Sequence, residues 1–188
     1  MPSGFLTPDS DAVVRQRRQL EARAAGRPLV GLSWRSRNAA YGQPKSLALT
    51  DLLPLLRRDV FWVDVQYGDT AEERAAVIAA GGPEIRRDPD IDPLQDLDAA
   101  AAQVAALDLV ITSSNTAAHL AGALGVPTWL LLPAPGYGLL WYWFLDRSDS
   151  PFYPTLRCFR QSRPGNWADA VAAVAEALDA WRAGRADG

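Results

Sequence analysis

The stretch "LDLVITSSNTAAHLAGALGVPTWLLLP" (residues 107–133) decides the fold. "LDLVITS" (107–113) is a short apolar run rich in β-branched residues, so it predicts a buried strand. "TAAHLAGALG" (116–125) is alanine-rich and ends on glycine, which predicts a helix closed at Gly125. "PTWLLLP" (127–133) is a second apolar run bracketed by prolines, a second buried strand. Strand, helix and strand in so short a span form a βαβ unit, and a βαβ unit implies a parallel sheet. Between the first strand and the helix lies "SSNT", a run of small polar residues. One turn into the helix stands His119, the sole histidine of the chain.

The same alternation runs through the whole chain. A charged helix is predicted over residues 9–25, then a strand in "RPLVGLSW" (27–34) and a polar, glycine- and proline-containing loop, "RSRNAAYGQPKS" (35–46). "LTDLLPLLRR" (49–58) reads as a short helix with Thr50 as its cap and Pro54 in its first turn. "VFWVDVQ" (60–66) is a second strand, and "DTAEERAAVIAAGG" (69–82) a helix closed by glycine. "EIRR" (84–87) is a short third strand. "DLDAAAAQVAAL" (96–107) is a helix capped by Asp96 or Asp98. The strands at 107–113 and 127–133 are then the fourth and fifth. "TLRCFRQ" (155–161) is the sixth, and the last helix, from residue 166, is capped by Asn166. The predicted fold class is α/β: a Rossmann-like, doubly wound, mostly parallel six-stranded sheet in three α/β/α layers. The commonest order, 3-2-1-4-5-6, sets strands one and four side by side and puts a ligand crevice at their carboxyl ends. Residues 1–26 read as a connector helix and 27–188 as the Rossmann-like domain.

Composition excludes several classes. A net charge of −3 over 188 residues argues against nucleic-acid binding, which favours a basic face. One cysteine and one histidine allow no internal disulfide and make a metal site improbable. No apolar run reaches membrane-spanning length, because "TWLLLPAPGYGLLWYWFL" is broken by prolines and glycines. "MPSGFLTPDS" lacks a basic-then-apolar signal pattern. These features together predict a cytoplasmic protein.

Two loops meet at the predicted crevice. The first, after strand one, carries Ser33, Arg35, Arg37 and Lys45. The second opens the helix after strand four with Ser114, Asn115, Thr116 and His119. A helix N-terminus exposes unpaired N–H groups and about half a positive charge. Hydroxyls, cations and an imidazole around it make the chemistry that binds a phosphate or diphosphate. The plainer alternative is that Ser114 or Asn115 only caps the helix, the cations are solvated and His119 is structural. Other chemistries fit less well. No Gly-x-Ser-x-Gly elbow, Gly-x-Gly-x-x-Gly turn or Walker loop is present. Asp69, Glu72 and Glu73 suit a helix N-terminus better than a metal, Asp64 suits a polar strand position, and Asp146 suits a turn pairing Arg147.

Residues 107–133 resemble the donor-binding motif of family 9-type glycosyltransferases, the heptosyltransferase group. The closer resemblance is to the glycosyltransferase-like carboxyl-terminal region of bacterial tetratricopeptide-repeat proteins. It is carried by "GLSWR", "VQYGD", "DIDPLQDLDAAAAQVAALDLVI", the motif above and "WYWFLDRSDSPFYPTLRCFRQ" with its following Gly165 and Trp167, in that order. It covers residues 5–178.

The resemblance implies the second half of a GT-B fold, binding a nucleotide-diphosphate sugar without metal or cofactor. It implies Asn115, Thr116 and His119 around the diphosphate, Ser33, Arg35 and Lys45 approaching from the neighbouring loop, and Gln66 facing the nucleoside. The catalytic base is expected in a separate amino-terminal acceptor or tetratricopeptide-repeat domain, so the chain reads as a fragment or as one that has lost that domain. The aromatic segment Trp141 to Phe144 can stack on a sugar or base, but is expected rather to pack against that missing part, or to drive self-association if left bare. The rival reading is a non-catalytic interaction or ligand-sensing module. It differs in an observable: an enzyme domain keeps the donor crevice open with His119 and Lys45 facing it, whereas a pure interaction module is free to bury His119 or to salt-bridge Lys45 away.

Overall fold

A computed structural model describes residues 4–38, 42–136 and 140–186. Parts of two loops read from the sequence, residues 39–41 after the first strand and 137–139 before the aromatic segment, lie outside the described residues. The described strands are β1 (Leu29–Ser33), β2 (Phe61–Asp64), β3 (Leu109–Ser113), β4 (Thr128–Leu132) and β5 (Leu156–Arg160). The helices are α1 (Ser10–Ala24), α2 (Leu53–Leu56), α3 (Ala71–Ala79), α4 (Leu97–Ala105), α5 (Thr116–Ala123) and α6 (Ala168–Ala186). Three 3₁₀ turns, Gln43–Lys45, Leu49–Leu52 and Trp141–Trp143, sit in the connections.

All five strands are parallel, in the order β2-β1-β3-β4-β5. The expected third strand, at 84–87, is reduced to one parallel bridge, Val63 to Arg86. Arg86 N–H donates to Trp62 O at 2.9 Å, and Asp64 N–H donates to Arg86 O at 2.7 Å. Pro83 and Pro89 flank this segment, and neither can donate to a ladder. The bridge lies beside β2, where the predicted order places strand three, so the sheet is five-stranded with its order otherwise as expected.

Both faces of the sheet are covered, which is why the strands read as continuous apolar runs rather than alternating ones. On one face Val30, Leu32, Trp62, Leu109, Ile111 and Leu131 pack against α2 and α6 through Leu55, Leu56, Val171, Val174 and Leu178. On the other, Leu29, Val63, Val65 and Val110 meet Leu20 and Ala24 of α1, Val104 of α4 and Ala121 of α5. Gly31 lies on this second face, where an added Cβ would come 2.6 Å from Leu107 Cδ1. The helix α1 is tied to the entry of β3. Arg17 donates to Ala106 O and to Asp108 Oδ1, both at 3.0 Å, and Asp108 Oδ2 accepts from Leu29 N–H at 2.8 Å.

The caps explain where the helices begin. Asp9, Asp96 and Asn115 accept from backbone N–H groups of α1, α4 and α5 at 2.6, 2.8 and 2.9 Å. Asn166 accepts from Ala168 N–H at 3.1 Å at the start of α6. Thr50 is not the cap expected of it and lies inside the 3₁₀ turn Leu49–Leu52. There the carboxylate of Asp51 reaches back to Ala48 N–H at 3.1 Å, and α2 starts only at Leu53, with Pro54 in its first turn. The end of α3 follows expectation: Gly81 takes φ 74° and Gly82 N–H closes on Val77 O at 2.9 Å. Among the described residues no helix is long and apolar enough to cross a membrane.

Candidate functional site

Strands β1 and β3 are hydrogen-bonded neighbours, with Ser33 opposite Thr112. Their carboxyl ends therefore open side by side, and the two polar loops read from the sequence meet there. Asn115 ties them together. Its Nδ2 donates to Ser33 Oγ at 2.7 Å and to Arg35 O at 3.1 Å, while its Oδ1 accepts from Ala117 N–H at 2.9 Å and from Thr112 Oγ1 at 3.2 Å. Asn115 is 6 % exposed, and both ends of its amide are engaged within the protein. Gln66 makes a second brace from the end of β2. Its Oε1 accepts from Ser33 Oγ, Trp34 N–H and Arg35 N–H, each at 3.0 Å, and the residue is fully buried. Ser33, Asn115 and Gln66 thus form one buried network beneath the crevice floor.

Lys45 and His119 stand differently. Lys45 ends the 3₁₀ turn Gln43–Lys45 and is 6 % exposed, yet its ammonium has neither a hydrogen bond nor an ion pair among the described residues. Burial pulls its pKa below the ordinary lysine value. Its charge acts on His119, whose imidazole is held below its own ordinary value first by burial and second by Lys45. His119 lies in an aromatic cage. It stacks on Trp143 with ring centroids 5.0 Å apart and meets Tyr142 and Tyr153 edge-on at 5.2 and 5.7 Å. Its Nδ1 is 2.9 Å from Tyr153 Oη. Trp143 Nε1 donates to Ser114 Oγ at 2.8 Å, which docks the cage on the residue before the helix cap.

Arg35 turns the other way. It forms a forked pair with Glu73 of α3, Nε to both carboxylate oxygens at 3.0 Å and Nη2 to Oε2 at 2.8 Å, and donates to Asp69 O at 2.7 Å. Glu73 also accepts from Trp34 Nε1 at 2.7 Å. Thr116 is exposed at the first position of α5, where its N–H has no intrahelical acceptor. It lines an apolar hollow of about 130 Å³ together with Val65, Tyr67, Leu94, Leu97 and Leu120. Leu94 and Leu97 are 58 % and 56 % exposed, unusual for leucines in a folded chain. The sequence reading did not find this hollow. Its only local signal was "PLQDL" (93–97), two leucines three apart in an otherwise acidic segment.

The aromatic segment divides. Trp143 is buried under the cage, whereas Trp141 is 78 % exposed and joins Phe144, Leu145 and Phe152 in an apolar patch. Arg147 pairs with Asp149 at 2.6 Å, not with the expected Asp146, because Asp149 lies on the same turn with its carboxylate in line with the guanidinium fork. Asp64 is a polar strand end. It is buried, accepts from Thr70 Oγ1 at 2.5 Å and is flanked by Arg74 and Arg87.

Chemically, the crevice holds a helix N-terminus, an ammonium with no ion pair among the described residues, a neutral imidazole and an adjoining apolar hollow. This suits an anion attached to a flat or apolar group. Among the described residues no cluster of three histidine, cysteine, aspartate or glutamate side chains is placed to hold a metal ion.

No family model matches the sequence. Among curated proteins the chain is 37 % identical over 178 residues to Protein FlbA of Caulobacter vibrioides, covering 94 % of this chain and 29 % of FlbA. The chain thus spans under a third of that relative's length. Three solved structures share the fold. ADP-heptose LPS heptosyltransferase II of E. coli superposes with a TM-score of 0.62 at 19 % identity, covering 93 % of this chain and 52 % of that one. A family 9 glycosyl transferase from Veillonella parvula gives 0.56 at 16 % identity, covering 85 % and 43 %. E. coli heptosyltransferase WaaC with ADP gives 0.50 at 17 % identity, covering 87 % and 48 %. The fold is that of about half of each of these enzymes: a parallel sheet covered by helices on both faces.

Proposed function

We propose that this chain is the donor-binding half of a metal-independent glycosyltransferase and takes a nucleotide-diphosphate sugar at the head of α5. The observation that carries the reading is Lys45. Its stem is buried, its ammonium keeps contact with the opening, and it has no hydrogen bond or ion pair among the described residues, so burial weighs against its charge with no counter-charge to offset it. Here it stands by His119 on a helix whose N-terminus faces the same opening, so a cation, an imidazole N–H and a helix N-terminus converge on one anion. A diphosphate supplies the missing counter-charge. The hollow between Tyr67, Leu94, Leu97 and Thr116 adjoins that point and has the apolar lining a nucleobase needs. The shared fold with heptosyltransferases, one of them solved with ADP, supports the same reading and makes ADP the first nucleotide to try.

In the proposed reaction an acceptor hydroxyl attacks the anomeric carbon, the bond from that carbon to the diphosphate oxygen breaks, and the hydroxyl proton passes to a general base. The part of this chain is the leaving group. Lys45, His119 and the α5 N-terminus take up the charge that develops on the diphosphate oxygen. Thr116 N–H is a further donor at the same point. Ser33, Asn115 and Gln66 act by holding the two loops in register, and Arg35 acts through the Glu73 pair that fixes its loop. The acceptor and the general base are assigned to a partner domain, an amino-terminal acceptor or tetratricopeptide-repeat unit.

Calorimetric titration with ADP, UDP and GDP tests the reading, in the wild-type chain and in His119→Ala. Saturable binding of at least one nucleotide is expected, weakened in the variant by about 1–3 kcal/mol, the range for a hydrogen bond to a charged group. The base preferred then names the donor class. A folded chain that binds none of the three sinks the reading. It would favour the interaction module instead, for which the exposed patch of Trp141, Phe144, Leu145 and Phe152 is the contact surface.

A further inference from the structure

A neutral imidazole serves an anion only through an N–H, because its other nitrogen is a lone pair that repels negative charge. Which nitrogen carries the proton is set by what the other one meets. In this chain Nδ1 of His119 meets Tyr153 Oη at 2.9 Å, and Nε2 is the nitrogen left for a ligand. Tyr153 is not a chance neighbour. Its ring lies against α5 at Gly122, one turn beyond His119, where an added Cβ would come 2.6 Å from Tyr153 Cγ. Only glycine at 122 lets the ring lie so close to the helix. On its far side Tyr153 stacks on Phe5 with centroids 6.2 Å apart, and the backbone N–H groups of Phe5 and Leu6 are anchored on Ala123 O at 2.8 and 2.9 Å. The ring is therefore held between the helix and the amino-terminal strap, with its hydroxyl aimed at the imidazole.

We infer that Tyr153, seated on Gly122, is a positioning residue that donates to Nδ1 and keeps His119 as the Nε2–H tautomer, so that the imidazole offers a donor to the diphosphate. The inference rests on the donor-site reading above and adds what that site needs in order to use a neutral histidine. Tyr153 acts through His119, and contact with the nucleotide is left to the imidazole itself.

The sole histidine makes the test direct. In chain labelled with ¹⁵N-histidine the two ring nitrogens give one assignable pair of signals. The ligand-free wild type is expected to show Nε2 protonated and Nδ1 bare at a pH where the ring is neutral. In Tyr153→Phe, which keeps the ring on Gly122 and so should leave the fold intact, the two tautomers should mix and ADP affinity should fall roughly three- to tenfold. Gly122→Ala, which pushes the ring off the helix, should reproduce both changes while the tyrosine hydroxyl is still present. A wild-type spectrum showing Nδ1 protonated overturns the inference, as does a Tyr153→Phe spectrum unchanged from wild type. The two readings fail separately. If ADP binds the wild type but Tyr153→Phe changes nothing, only the positioning role falls. If ADP, UDP and GDP all fail to bind the folded wild type, the donor-site reading falls and the positioning role falls with it.

Discussion

Lys45→Met should leave the chain more stable and nearly unable to bind a nucleoside diphosphate. Both effects follow from one fact: a 6 % exposed lysine has no hydrogen bond or ion pair among the described residues. Methionine keeps the length and apolar stem while removing a partly desolvated charge. The free chain should gain up to about 1 kcal/mol in urea unfolding, a desolvation cost discounted for solvent screening. Affinity should fall about 30- to 150-fold, the loss of a charge-assisted contact worth about 2–3 kcal/mol. The pH dependence has a definite sign. The pKa of Lys45 is lower in the fold than in the unfolded chain, so the unfolded chain binds the extra proton between the two values. Wild-type stability should therefore climb as pH rises from the folded value toward the unfolded one, about 10.4. That contribution is lost as pH falls through the folded value. Lys45→Met should lack this slope. Equal nucleotide affinity in the two proteins would remove Lys45 from the site, and a destabilised methionine variant would mean the ammonium has a counter-charge after all. Stability given up at a binding site is a familiar exchange.

Asn115→Asp is expected to cost about 2–3 kcal/mol although it is isosteric and retains a helix cap. A carboxylate at 115 still accepts from Ala117 N–H, and a negative charge at the head of α5 is favourable in itself. The loss is on the other side of the amide. Nδ2 donates to Ser33 Oγ and Arg35 O, and a carboxylate oxygen there would face the Arg35 carbonyl with no proton between them. Ser33 Oγ already donates to Gln66 Oε1, so turning its proton toward residue 115 would take one of the three donors from Gln66 and still leave the Arg35 carbonyl without one. The Arg35 carbonyl therefore loses its donor and faces a carboxylate whichever way the network settles. Nucleotide binding should weaken as well, since the new charge lies beside the proposed diphosphate. Asn115→Ala separates the two effects. It should lose the cap and the brace without adding charge, and so bind nucleotide better than Asn115→Asp at comparable stability. Urea unfolding and ADP titration of both variants check this. An aspartate variant as stable as wild type would show that the loops do not depend on the Asn115 brace.

Local patterns carried much of this architecture. The apolar runs at 29–33, 61–64, 109–113, 128–132 and 156–160 needed no partner to be recognised, because burial on both sheet faces demands uninterrupted apolar residues. Asp96, Asn115 and Asn166 could be read as caps for the same reason, since a cap bonds within its own turn. Gly81 and Gly125 were legible as helix ends because their positive φ is a local demand, met at 74° and 75°. The segment at 84–87 failed as a strand because ladder length depends on what lies alongside, and the prolines on either side leave room for one bridge only. Thr50 failed as a cap because Asp51 competes for the same turn with a stronger acceptor.

At the site, residue types could be read but roles could not. Arg35 and Lys45 are equivalent cations in a loop until Glu73, 38 residues after Arg35, claims one of them and leaves the other without an ion pair among the described residues. Gln66 was a nucleoside contact only by the family resemblance, and only the folded chain shows three donors converging on its oxygen. Tyr153, Leu94 and Leu97 escaped notice because nothing within a turn of them signals a ligand. Tyr153 lies 34 residues from His119. The sequence by itself determined the parallel α/β sheet, its strand order and the meeting of two polar loops at one crevice, because periodicity, caps and crossover handedness are properties of short segments. Only the tertiary structure decided which cation is paired, which amide is a brace and which ring holds the histidine, because partners far apart in the chain compete for each buried polar group and the packing settles who wins.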